Sequence, residues 1–278
     1  MNRRQFTSLL LALSFAVAAP VSAARADDDE KKMTADEIIA KHFEAIGGRE
    51  AMAKFKTRVA IGTVAKEDEP AARFAVMSEA PNRVSVYYGF RDYDARLVYD
   101  GTRAAVRPNF ARQFANLSEK YEEILASGLM FNQMSLYNLL TSGATGEMKL
   151  EAKGTKKVKG RQAYVVQVKP KKGSAMRLYF DAENFMWVRT DYGKTALSRE
   201  LSRTSSNIND INNQAGSEQT FDFYIETSDF RDVDGVKLPF KFEQLLTAPL
   251  MRQKIVGTVT GTISEYQHNG KIDPSMFQ

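Results

Sequence analysis

From Thr57 onward apolar residues recur at every second position, and no other feature of this chain restricts its fold as tightly. A strand points successive side chains to opposite faces, so a period of two marks a strand with one apolar face. Twelve segments read this way: 57–65, 71–79, 82–90, 95–100, 102–107, 147–153, 162–169, 175–181, 185–192, 219–230, 237–247 and 252–266. In 175–181, Met176, Leu178 and Phe180 share one face, and Arg177, Tyr179 and Asp181 the other. In 237–247, Leu238, Phe240, Phe242 and Leu246 oppose Lys237, Lys241 and Glu243. The segment 162–169 is apolar on both faces, with Tyr164, Val166 and Val168 opposite Ala163, Val165 and Gln167. Ala80-Pro81-Asn82, Asp100-Gly101, Lys159-Gly160 and Asp234-Gly235 supply turn chemistry between strands. Closely spaced strands joined by tight turns predict an antiparallel meander. A one-sided sheet of this many strands curls, giving a barrel or half-barrel with the apolar face inside.

Helical periods interrupt the alternation. Thr34 and Glu37 have capping-box spacing, and Ile38, Ile39, His42, Phe43 and Ile46 then fall on one helical face. Gly47-Gly48 suits a left-handed cap, and a second short helix is expected from about Arg49 to Phe55. Ser118 to Leu140 also reads as helical, with Tyr121, Ile124 and Leu125 as its stripe. After Gly128 this helix is apolar almost all round, so it must be covered or must cover something. The polar, Asn/Ser-rich stretch at about 198–219 reads as a long loop.

The N-terminal residues predict export. Arg3-Arg4 precede a short apolar stretch, Leu9 to Val17, then Pro20 and two A-x-A-like sites ending at Ala23 and Ala26. This is the pattern of a signal peptide over 1–26, cleaved near residue 23 or 26, and too short to span a bilayer. Arg3-Arg4-Gln5-Phe6 partly matches the twin-arginine signal, and ordinary Sec export is the alternative. A flexible acidic leader, 27–33, and a single domain, 34–278, follow. The expected location is the periplasm, with no lipid anchor, because the chain has no cysteine to carry one. Of the formal +5 charge, three units sit in the tag as Arg3, Arg4 and Arg25, leaving +2 and no broad basic surface for nucleic acid.

Chemistry-bearing motifs are sparse. His42 and His268 are the only histidines, which disfavours a Cys/His zinc site. His42 reads as a satisfied packing residue on its helix's apolar side. No G-x-S-x-G occurs. Asp232, Asp234 and Gly235 hint at a calcium loop, but an EF-hand register would put Lys241 where Glu is needed, so a hairpin turn is expected. No catalytic residue, metal or cofactor is assigned, and the chain is read as a non-enzyme.

Four stretches carry a family likeness: Ala35-Asp36-Glu37-Ile38-Ile39 through Gly47-Gly48 into Phe55-Lys56; Leu97-Val98-Tyr99-Asp100-Gly101; Gly160-Arg161-Gln162-Ala163-Tyr164 through Tyr179-Phe180-Asp181 to Gly193; and Asp229 through Phe240. Together they resemble the outer-membrane lipoprotein-sorting family, related to the periplasmic carrier LolA and the receptor LolB. The resemblance implies a mainly β, α+β fold: a strongly curved antiparallel sheet forming an incomplete barrel, with an apolar cavity covered by helices. It implies a periplasmic carrier that binds lipoprotein acyl chains or free lipid for transfer towards the outer membrane. The partners would be that cargo, an inner-membrane donor and an outer-membrane acceptor, with only transient membrane contact. A sensor branch implies the alternative, an envelope adaptor that binds a partner protein without transport. The cavity or lid candidates are Val86, Tyr88, Leu129, Met130, Phe131, Met134, Tyr137, Met176, Leu178, Phe180, Phe240 and Phe242.

Overall fold

A computed structural model describes residues 32–66, 70–89, 94–107, 124–125, 148–169, 175–197, 219–247 and 256–278. Met33–Gln278 forms one compact unit. Two helices, α1 (Ala35–Ala45) and α2 (Arg49–Ala53), precede the strands. The strands are β1 (Thr57–Lys66), β2 (Ala72–Glu79), β3 (Arg83–Gly89), β4 (Asp94–Tyr99), β5 (Ala104–Arg107) and β6 (Lys149–Val158). They continue as β7 (Arg161–Lys169), β8 (Met176–Asp181), β9 (Trp187–Leu197), β10 (Gln219–Val233), β11 (Val236–Thr247) and β12 (Val256–His268). A 3-10 helix, Pro274–Phe277, packs against β3 and β4.

All twelve expected strands are present, in one sheet ordered β5-β4-β3-β2-β1-β12-β11-β10-β9-β8-β7-β6. Every pairing is antiparallel. Among the described residues the sheet ends at β5 and β6, which do not pair with each other, so it does not close into a barrel. It consists of two meandering wings joined at one seam, where the first strand meets the last. β6 runs five residues beyond its expected end: Gly154, at φ +75°, sits where the register slips between Ala152 and Thr155, and the strand resumes past it.

Side-chain contacts show how strongly the sheet curls. Tyr88 of β3 donates from its hydroxyl to Gln244 Oε1 of β11 at 3.1 Å, across three intervening strands. The rings of Phe74 on β2 and Phe242 on β11 lie 4.8 Å apart. Strands four apart would be about 19 Å distant in a flat sheet, so the inner face is folded onto itself. One large apolar cluster fills it, including Phe43, Phe74, Tyr88, Phe180, Phe223 and Leu238. The outer face has a small apolar cluster of its own, Ala163, Val165 and Tyr179, which is why 162–169 is apolar on both sides.

The α1 helix starts as its sequence predicts. Thr34 Oγ1 accepts from the Glu37 amide at 3.2 Å, and Glu37 Oε2 accepts from the Thr34 amide at 2.8 Å. Ile38, Ile39, His42 and Phe43 are buried, and the helix packs against β6 and β7. Gly47, at φ +120°, ends it against the β10–β11 turn, where a Cβ would meet the Gly235 carbonyl oxygen at 2.1 Å. Only glycine fits there, and the Lys237 amide then donates to Ile46 O at 2.9 Å. The Asp234-Gly235 pair is a hairpin turn with both residues at positive φ, as expected from the failed calcium pattern.

Candidate functional site

Six neighbouring strands, β2-β1-β12-β11-β10-β9, line a cavity of about 60 Å³ on the inner face. Its apolar wall includes Phe74, Val76, Trp187, Ile225, Leu238, Phe242 and Ile263. Gly261 makes room for one part of that wall: a Cβ there would stand 2.0 Å from the Phe242 ring. Trp187 is held at the rim by its own strand and the next, with Nε1 donating to Arg189 O at 3.1 Å and Thr227 Oγ1 donating to Trp187 O at 2.6 Å. The volume is small beside the roughly 300–1,000 Å³ of ordinary ligand pockets.

One charged side chain forms part of this wall in near-complete burial. Arg58, at the start of β1, is 6 % exposed and shares the period-two face of Ala60. Its Nε donates to His268 Nε2 at 3.0 Å, while Nη2 is buried without a hydrogen-bond partner among the described residues. Arginine can only donate, so His268 Nε2 accepts and its Nδ1–H donates to Asp234 Oδ2 at 2.8 Å. The imidazole is therefore neutral, consistent with burial, which lowers its pKa despite the Asp234 hydrogen bond. It is also stacked on Phe55, with ring centroids 3.8 Å apart. Tyr266 faces Arg58, but burial pushes its phenol well up, and its hydroxyl donates to Pro239 O at 2.5 Å. Burial lowers the Arg58 guanidinium to about 10, leaving it charged at neutral pH.

Another titratable group lies under the inner face: His42 packs as expected, but it is satisfied at one ring nitrogen only. His42 is fully buried, 5.0 Å from Phe180 by ring centroids. Its Nδ1–H donates to Phe185 O at 2.8 Å, while Nε2 has no partner among the described residues. Burial outweighs that hydrogen bond and lowers the pKa to about 4.

The outer face carries a different arrangement. A cleft of about 480 Å³, lined by charged as well as apolar residues, runs from the β6–β7 turn across β10 and β11 to β12. Lys159, in that turn, reaches Glu226 at 3.0 Å and Glu243 at 3.1 Å. Burial pulls the Lys159 pKa down, and the two carboxylates outweigh it, so the ammonium lies above its ordinary value. Arg189 Nη1 meets Glu226 Oε1 at 2.7 Å, with the guanidinium 4.1 Å from the Tyr224 ring. Arg161 meets Asp181 and Glu183, each at 3.0 Å.

Of the residues singled out from the sequence, Phe242 lines the inner cavity. Val86, Tyr88, Met176, Leu178 and Phe180 are buried in the same apolar cluster but do not line the cavity, and Phe240 packs at the cluster's margin. Leu129, Met130, Phe131, Met134 and Tyr137 lie outside the described residues, as do the signal peptide and nearly all of the 198–219 stretch. From the expected 118–140 helix, Ile124 and Leu125 are described: both are helical and buried in the main cluster. Sequence reasoning missed Arg58 and its His268–Asp234 relay. The one signal for Arg58 was a charge at an inward position of an alternating strand.

Comparison with solved structures finds folds similar to this one. A LolA superfamily protein from Nitrosomonas europaea is 11 % identical, over 88 % of this chain and 98 % of that one, with a TM-score of 0.47. An outer membrane lipoprotein-sorting protein domain from Vibrio parahaemolyticus is 9 % identical, over 87 % and 94 %, with a TM-score of 0.44. A DUF1329 family protein from Desulfovibrio piger is 10 % identical, over 87 % and 97 %, with a TM-score of 0.41. No family model and no curated protein matches the chain. Among the described residues, no helix is long and apolar enough to cross a membrane, and no group of His, Cys, Asp and Glu could hold a metal ion.

Proposed function

We propose that this chain is a periplasmic carrier that takes an acyl chain, of a lipoprotein or a free lipid, into its inner cavity for transfer towards the outer membrane. The observation that supports this most is an apolar cavity at the centre of a curled sheet whose two edges stay unpaired with each other. Each methylene moved from water into such a wall gains about 0.8 kcal/mol. A cavity of about 60 Å³ admits only a few methylenes, so loading a long chain requires the wings to spread. A sheet whose two ends are not paired with each other can do this without breaking a strand pairing.

Titration with a fluorescent acyl probe tests the reading. Saturable binding, competed by lipid and lost in Ile225→Trp, is expected, because the larger ring fills the cavity. A folded wild-type protein that binds no probe would overturn it. The outer cleft supports a second reading, an adaptor that grips a partner protein, because it is the larger opening and is lined with charges. Charge reversal at Lys159 would then weaken partner binding and leave the acyl probe unaffected.

A further inference from the structure

We propose that the inner cavity selects an anionic amphiphile, with the Arg58 guanidinium taking a carboxylate or phosphate oxygen at Nη2 while the tail lies along Phe74, Val76, Leu238 and Phe242. This rests on the acyl-binding reading above and names the class of its ligand. Three observations carry it. First, Arg58 is 94 % buried on the cavity wall, given its 6 % exposure, and Nη2 has no partner among the described residues. Second, its neighbours among the described residues provide no anion. Nε is spent on a neutral imidazole, Phe55 offers only a ring face at 5.8 Å, and Tyr266 is a protonated phenol. The carboxylate of Asp234 lies beyond the imidazole and is itself 63 % exposed. Third, the described residues that line the cavity include no Asp or Glu.

A buried cation without a counter-charge is costly, and a fold retains one where something repays it. An incoming oxyanion does so by a charge-assisted hydrogen bond in a dry site, roughly twice as strong as a neutral one. The His268–Asp234 relay adds orientation: it holds Nε and so restrains the guanidinium at the cavity wall, where Nη2 is covered until the wings spread to admit a tail. Carboxylate and phosphate share this chemistry, and the assay separates them.

The test is displacement of a fluorescent acyl probe from the full chain by dodecanoate, dodecyl phosphate, dodecanol and methyl dodecanoate. One or both anions should displace at about one-tenth the concentration of the alcohol or ester. The more effective anion identifies the headgroup. Arg58→Met should remove that advantage and leave the alcohol's affinity unchanged, while Arg58→Lys, which keeps the charge, should retain part of it. Equal displacement by anions and alcohol in the wild type would overturn the proposal and spare the carrier reading, as would an anion preference that survives in folded Arg58→Met. Failure of every competitor and of the probe to bind would overturn both.

Discussion

Two arginines, on opposite faces of the same sheet, show what each face is organised to do. On the outer face, Arg189 meets Glu226 at 2.7 Å, and Lys159 closes the network through Glu226 and Glu243. Charges there are neutralised within the chain, and the network ties the β6–β7 turn to β10 and β11. On the inner face, Arg58 meets a neutral histidine, and Nη2 is buried with no hydrogen-bond partner among the described residues. Both guanidinium groups keep one buried nitrogen without a hydrogen-bond partner among the described residues, Nε of Arg189 and Nη2 of Arg58, but the first has a carboxylate to balance its charge and the second has none.

The sharpest way to break this contrast is to remove one charge on each face. Glu226→Gln strips Arg189 of its buried counter-charge and should destabilise the chain by about 3 kcal/mol, near the usual cost of breaking a buried pair. Arg58→Met removes a charge that nothing in the chain balances, and should stabilise the ligand-free protein by about 1–2 kcal/mol. Denaturant melts of the two variants should therefore move in opposite directions. Movement in the same direction would erase the distinction between the faces.

Acid should load the inner face next. His42 takes up a proton near 6.5 when unfolded and only near 4 when folded. Between those values the unfolded state binds the extra proton and is favoured, so stability is full above about pH 6.5 and falls as the pH drops towards 4. The loss should reach about 3 kcal/mol, measured by urea melts at several pH values. His268, also lowered, acts in the same direction. His42→Gln, whose amide can still donate to Phe185 O, should flatten most of the slope. The smallest effect belongs to the outer face: Lys159, with its side chain 63 % exposed, should cost under about 1 kcal/mol as Lys159→Met, and less in high salt.

Much of the architecture was legible because it is written in local patterns. Period-two alternation located twelve strands, Thr34 and Glu37 announced the start of α1, and Asp234-Gly235 announced a hairpin. The inner face was legible as apolar for the same reason: Met176, Leu178 and Phe180 alternate with polar neighbours. Alternation tells which face a residue is on, but not which residues meet across a curled sheet. Of the aromatic candidates, Phe242 reaches the cavity wall and Phe180 packs instead against His42. The Arg58–His268 contact spans 210 positions, a separation on which a local reading is silent. His42 misled for a related reason: a helical face shows that a residue is buried, whereas its hydrogen bonds depend on what arrives from β9's approach at Phe185.

The seam between β1 and β12 has a consequence for how the protein assembles. β1 to β5 pair in chain order, and so do β6 to β12; each wing can zip along neighbouring strands, with the β9–β10 connection over 198–218 the longest closure within a wing. Joining them means closing a loop of nearly the whole domain, a slow step by comparison. The cavity draws its wall from both wings, with β1 and β2 on one side of the seam and β9 to β12 on the other. Occupancy is therefore a property of the joined state alone, and a bound molecule acts as a rivet: hydrogen exchange along β1 and β12 should slow with its concentration before any other pair of strands responds.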